Sequence, residues 1–258
     1  MIWKKLGETR ISPQVAPRKG NRAIRRWRNR IPVSGSGGDG KMTYPRTVYE
    51  FLKRNGDALS MFVVGFDDYV ACRACWRANC LFQAAVLAEQ SLEKLFKGGA
   101  RLSGSTTSFK DMGHRLGSLA QFDWFDTAPY SNLIADLEYH FFNSRYPKTS
   151  EDSDVMVCRK GISANEFHQL DELLLGYMDA IPVEERIKHS LGVYAECYNN
   201  DVMAEHNHPG IRWEALAWNN GPLARCVTEI KRAVANNKGF LRQHPLPGVF
   251  VDQETGPL

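Results

Sequence analysis

The sequence predicts an all-α protein: a helical bundle followed by additional C-terminal helices. Three observations carry that expectation. Apolar residues recur at spacings of three and four through residues 56–99. Helix-start signals recur further on, at Ser163 with Glu166, at Pro182 and at Pro222. No alternating run is longer than "DVMVCR" at 154–159.

The elements follow in order. "GDALSMFVVGFDDYVACRACWRAN" (56–79) has helical spacing throughout. "CLFQAAVLAEQSLEKLFKGG" (80–99) is the clearest helix. Leu81, Ala84, Ala85, Ala88, Leu92 and Leu95 form its apolar stripe, and Glu89, Glu93, Lys94 and Lys97 gather towards its end. The lysines suit the C-terminal end of the dipole, and Gly98-Gly99 is expected to stop the helix. After the loop "ARLSGSTTSFKDMG", "HRLGSLAQF" (114–122) reads as a short helix. "YSNLIADLEYHFFNS" (130–144) reads as another, stopped by Arg145-Tyr146-Pro147 because proline keeps the preceding residue extended. Ser163 and Glu166 form a capping box at the head of "ANEFHQLDELLLGYMDAI". Pro182 suits the first turn of "VEERIKHSLGVYAECYNN", and Pro222 opens "LARCVTEIKRAVANN", which is expected to end near Gly239. No internal repeat is evident.

Charge divides the chain. Residues 1–41 hold 11 Lys/Arg against Glu8 and Asp39, a net of +9, whereas the remaining 217 residues hold 22 basic and 27 acidic side chains. A mildly acidic body argues against a broad basic face for nucleic acid. "PRKGNRAIRRWRNR" concentrates seven Lys/Arg within residues 18–30 and leads into the Gly/Ser linker "IPVSGSGGDGK". Three readings stay open for this tail. It is a disordered arm that contacts nucleic acid or an anionic surface, with Trp27 available to stack; or it is a solvated tail without a role; or translation starts at Met42, behind a purine-rich codon run, and the tail is never made. The expected organisation is tail and linker at 1–42, bundle at 43–182, helical extension at 183–240 and disordered tail at 241–258.

Several classes find no support. There is no run of 18 apolar residues and no N-terminal apolar h-region, so a membrane span and a secretory signal are not expected. The six cysteines (72, 75, 80, 158, 197, 226) sit mostly in apolar or helical segments and read as reduced thiols of a cytoplasmic protein. "CRACWRANC" offers Cys72, Cys75 and Cys80 without a convincing fourth ligand. "AEHNHPG" offers His206 and His208, which at i, i+2 do not share a helix face. No metal and no cofactor is expected. "GSGGDGK" lacks the phosphate-loop spacing, and no G-x-S-x-G elbow occurs.

The candidate site lies at helix ends. Glu93, Lys94 and Lys97 close one helix, His114 begins another, and Arg145 and Tyr146 end a third. An antiparallel bundle can bring such ends together. Arg145 would hold a phosphate through its guanidinium fork while Tyr146 stacks on a base or ring. The alternative is that Arg145 pairs with Glu93 and braces the bundle, and residue chemistry by itself favours that plainer role.

"LFQAAVLAEQSLEKLFKGG", "HRLGSLA" and "FFNSRYP", in that order, resemble the HEPN domain (higher eukaryotes and prokaryotes nucleotide-binding) over roughly residues 56–180. That family shows an E-K-x-x-K-like helix end, an H-x-L and an Arg-Tyr-Pro corner. The resemblance implies an antiparallel up-and-down bundle, often a homodimer. Many members are ribonucleases with an R-x4-6-H motif, in which a cation holds the phosphate and an imidazole handles the 2′-oxygen proton. Here no histidine follows Arg145 before His168. The resemblance is therefore to the Arg-Tyr-Pro branch, which is associated with nucleotide or nucleic-acid binding and with a separate nucleotidyltransferase partner. It implies a non-catalytic protein binding a nucleotide or RNA through Arg145, Tyr146, Glu93, Lys94, Lys97 and His114. The alternatives are a metal-independent toxin or defence ribonuclease using Arg145 and His114, and a helical scaffold for a protein partner in which Arg145 is structural.

Overall fold

A computed structural model describes residues 46–145, 161–205 and 210–243. The described residues all belong to one unit, Asp39–Leu258. They form helices α1 (Arg46–Arg77), α2 (Leu81–Leu102), α3 (Leu116–Leu119), α4 (Ser131–Arg145, preceded by the 3-10 turn Ala128–Tyr130), α5 (Ala164–Ala180), α6 (Glu185–Lys188), α7 (Gly192–Glu205), α8 (Ile211–Ala217) and α9 (Gly221–Gln243). No strand occurs among them. The protein is an all-α bundle. The 1–42 tail, "DVMVCR", Cys158, His206 and His208 lie outside the described residues.

The α1–α2 hairpin is the centre of the bundle. Asn79, at φ 60°, takes the left-handed position after α1. Its N–H donates to Trp76 O (2.9 Å), and the N–H of Cys80 donates to Cys75 O (2.8 Å). This pair of bonds satisfies the last carbonyls and reverses the chain in three residues, which makes α1 and α2 antiparallel neighbours. Of the predicted α2 stripe, Ala84, Ala85, Ala88, Leu92 and Leu95 are all solvent-free, and Leu81 at the helix start is half-buried.

Gly98-Gly99 does not stop α2. The helix continues to Leu102, and its left-handed residue is Gly104 (φ 93°), whose N–H reaches Arg101 O while that of Ser105 reaches Ala100 O. The glycine pair serves packing instead. A Cβ on Gly98 would lie 3.0 Å from the Phe62 ring and 3.1 Å from Ala58 O, and one on Gly99 would lie 2.0 Å from the Tyr177 hydroxyl. Gly65 gives α1 the same closeness, since a Cβ there would meet Ser91 O at 3.0 Å. Tyr177 of α5 uses this opening to donate to Leu95 O (2.9 Å) beneath the rings of Phe96, Phe122 and Phe125.

Other boundaries also shift. α1 begins at Arg46, near the expected start of the bundle at residue 43 and ten residues ahead of the segment 56–79. "HRLGSLAQF" yields only Leu116–Leu119. The run expected after Pro182 is two helices, parted at Gly192 (φ 53°), where a Cβ would meet Met178 at 2.8 Å. α9 passes through Gly239 to Gln243. The helix α8 was not foreseen, because "IRWEALA" is too short to show a period. The capping box is present: Ser163 N donates to Glu166 Oε2 (2.6 Å) and Glu166 N to Ser163 Oγ (3.3 Å).

A buried polar network ties the C-terminal helices to the hairpin. Arg73 of α1 and Asp171 of α5 are each 1 % exposed and form an ion pair. Arg73 Nε donates to Ala215 O of α8 (3.0 Å), and a terminal nitrogen donates to Trp218 O. Tyr69 donates to Asp171 Oδ1 (2.6 Å) and accepts from Asn220 Nδ2 (3.2 Å). Asn220 Oδ1 in turn caps α9 by accepting from Leu223 N (3.0 Å). Burial works against the Arg73 charge, but Tyr69 and Asp171 outweigh it and hold the guanidinium above its ordinary value.

Two measurements check these assignments. Asp171→Asn removes the counter-charge of a buried guanidinium and is expected to cost about 3–5 kcal/mol in urea unfolding. Gly99→Ala is expected to cost about 1–3 kcal/mol by overpacking, whereas Gly117→Ala, where a Cβ meets nothing within 4 Å, should be neutral or mildly stabilising.

Candidate functional site

The C-terminal half of α2 carries Glu93, Lys97 and Arg101 at four-residue intervals, so the three share one face. The loop 103–115 is fastened to that face at both ends. Arg101 donates to Ser105 O (2.7 Å) and Thr107 O (2.9 Å), and its guanidinium lies 5.0 Å from the centre of the Phe109 ring. At the far end His114 Nδ1 lies 3.0 Å from Glu93 Oε2. Lys97 Nζ donates to the other carboxylate oxygen, Oε1, at 2.7 Å. Each Glu93 oxygen therefore has its own partner.

Burial sets the character of this group. Glu93 is 9 % and Lys97 5 % exposed, while the His114 side chain is 52 % exposed. A buried carboxylate resists ionisation, but here the hydrogen bonds and charges of Lys97 and His114 win, and Glu93 titrates below the usual 4.5. The pair Glu93–Lys97 is a neutral, fixed base. His114 stands on it at the surface, and the Nδ1–H tautomer donates to the carboxylate, leaving Nε2 without a partner among the described residues.

α4 forms the adjoining wall. The His114 and Phe141 rings are 6.4 Å apart, and Gly117 N donates to Glu138 Oε2 (3.4 Å). Arg145 is the last residue of α4, four positions after Phe141 and hence one turn on. Its side chain lies outside the described residues, as does Tyr146 altogether. The structure thus brings together Glu93, Lys97 and His114 and places the backbone of Arg145 one turn from the ring that His114 meets. It does not bring Lys94 there: Lys94 turns to α1 and pairs with Asp68.

The described thiols, Cys72, Cys75, Cys80, Cys197 and Cys226, are free. Cys72 is buried and donates to Ala84 O (3.1 Å), whereas Cys80 is exposed, so the C-x2-C-x4-C run does not converge. Among the described residues no group of three His, Cys, Asp or Glu side chains has metal-site spacing, and no helix is long and apolar enough to cross a membrane.

Sequence reasoning missed Arg101 as the anchor of the loop. Its signal was present in the i, i+4, i+8 register with Glu93 and Lys97, but the expected stop at Gly98-Gly99 placed Arg101 outside the helix.

The lowered Glu93 pKa has a definite pH consequence. A carboxylate depressed in the folded state contributes stability above its unfolded pKa and loses it as pH falls through the folded value. Wild type should therefore lose more stability than Glu93→Gln between pH 6 and about pH 3.5, read as the shift in urea midpoint. Comparison with protein-family models, with curated proteins and with solved structures gives no match for this chain.

Proposed function

We propose that the protein is a HEPN-like, non-catalytic binding protein that holds a nucleotide or nucleic-acid phosphate near Arg145 and works as a homodimer. The observation that supports this reading best is the half-exposed His114 standing on the Glu93–Lys97 pair beside Phe141, a residue one helical turn before Arg145. Lys97 neutralises the buried carboxylate that His114 contacts among the described residues, which favours an anion at the site. As an imidazolium, His114 keeps Nδ1–H on Glu93 and offers Nε2–H to one phosphate oxygen, and Arg145 is the candidate donor to a second. Glu93 and Lys97 then orient the site rather than touch the ligand, and Lys94 braces α1 against α2.

One observation favours a second reading, a metal-independent ribonuclease. Glu93 engages Nδ1 and so fixes which His114 nitrogen is free. A carboxylate-oriented imidazole with an open Nε2 is equipped to take the 2′-hydroxyl proton of RNA while an arginine holds the phosphate. This differs from the family's R-x4-6-H arrangement, in which the histidine follows the arginine.

Calorimetric titration with nucleotides and a short RNA tests the first reading. Binding by wild type should weaken at least tenfold in Arg145→Ala and in His114→Ala, with unchanged melting temperatures. Absence of binding by wild type, or unchanged affinity in both variants, would sink it. RNA cleavage in chelator that depends on both Arg145 and His114 would favour the ribonuclease.

A further inference from the structure

A groove of about 260 Å³ lies among α5, α6, α7 and α9, on elements that share no residue with the Glu93 cluster. Its floor is apolar, with Met178, Leu191, Val193 and Ile230 all nearly solvent-free. Its rim carries Asp179 from α5 and Glu229 from α9, two exposed carboxylates with no ion-pair partner among the described residues. The cation at the rim, Lys188, is already engaged by Glu185 at 3.2 Å.

The wall between floor and rim is aromatic and fixed. The Tyr194 ring lines the groove and packs at 4.5 Å on the His189 ring. Asn237 Nδ2 lies 3.0 Å from His189 Nδ1, and His189 Nε2 lies 3.2 Å from Glu185 Oε2. The Asn237 amide donates, which makes Nδ1 the acceptor and Nε2–H the donor to Glu185. Burial, and after it the negative charge of Asp179, Glu185 and Glu229, push the Tyr194 hydroxyl up to about 12. The hydroxyl is therefore neutral at physiological pH, makes no protein hydrogen bond among the described residues, and stands in a negative field.

We infer that this groove is a binding site for a small organic cation, an ammonium carried on an aryl or alkyl body. The apolar floor takes the body, the Tyr194 face and hydroxyl meet the ammonium, and Asp179 and Glu229 supply the opposite charge from two helices. A cavity of about 150 Å³ accommodates benzene, so this one holds a single ring with a short aminoalkyl arm. Anions of the same size meet two unpaired carboxylates and are refused.

The test uses 2-phenylethylammonium as the probe and phenylacetate as its anionic counterpart, with the full chain in calorimetry and in NMR of the Met178 methyl. Wild type should bind the amine with a Kd of about 1 mM or tighter, shift the Met178 methyl, and bind phenylacetate at least tenfold more weakly. Asp179→Asn with Glu229→Gln, two exposed sites whose change leaves the fold intact, should weaken the amine at least tenfold. No saturation by about 10 mM, equal affinity for the two probes, a silent Met178 methyl, or an unchanged double variant would each overturn the assignment.

Discussion

The ion pair of Arg73 with Asp171 is the constraint on which the arrangement of the helices depends. A guanidinium removed from water has to satisfy its donors inside the protein, and each acceptor it finds belongs to a different element. Asp171 comes from α5, Ala215 O from α8, and Trp218 O from the turn that leads into α9. Apolar packing alone would allow these helices to slide against α1. Directional hydrogen bonds to backbone carbonyls do not, because a shift of one turn leaves a buried charge unpaired. Tyr69 and Asn220 extend the same restriction to the start of α9, where Asn220 serves both the network and the helix cap.

This coupling explains why the C-terminal helices cannot be treated apart from the hairpin. The stacked pair Trp76 and Phe167 (4.4 Å, 11°) covers one side of the Arg73 guanidinium, which itself lies 5.3 Å from the Phe167 ring centre. The charge is therefore enclosed by α1 and α5 and closed by α8. The same helices then define the groove between α5 and α9, so that its two acidic rims are held at a fixed separation.

The legibility of the sequence followed the range of the interactions. The α2 stripe, the Ser163–Glu166 box and the all-α class are local signals, and the residues state them directly. Arg73 was not legible. In "ACRACWR" it looks like one more solvated cation on an amphipathic helix, and its partners are 98 and about 145 residues away. Gly98-Gly99 shows the opposite error. A local rule assigns such a pair to a helix end, but the demand of Phe62 and Tyr177 for space against α2 is tertiary. The site was legible in part: Glu93, Lys97 and His114 do meet, because two lie on one helix face and the third follows a loop pinned to that face. Lys94 does not join them, since one step around the helix turns a side chain by about 100°, towards Asp68.

The division between helix and loop at the candidate site has a functional consequence. Glu93 and Lys97 lie on a largely enclosed helix, packed by α1 on one side and Tyr177 on another, so the carboxylate that receives His114 is held in place. His114 itself comes from a loop held by Arg101 and by that one carboxylate contact. An imidazole anchored through Nδ1 keeps its tautomer and direction while its backbone retains the freedom of a loop. Such a group adapts to a ligand without losing orientation, a property equally suited to gripping a phosphate and to moving a proton beside one. What separates binding from cleavage is therefore the position of the Arg145 guanidinium relative to Nε2, and not the Glu93–His114 pair, which both readings require.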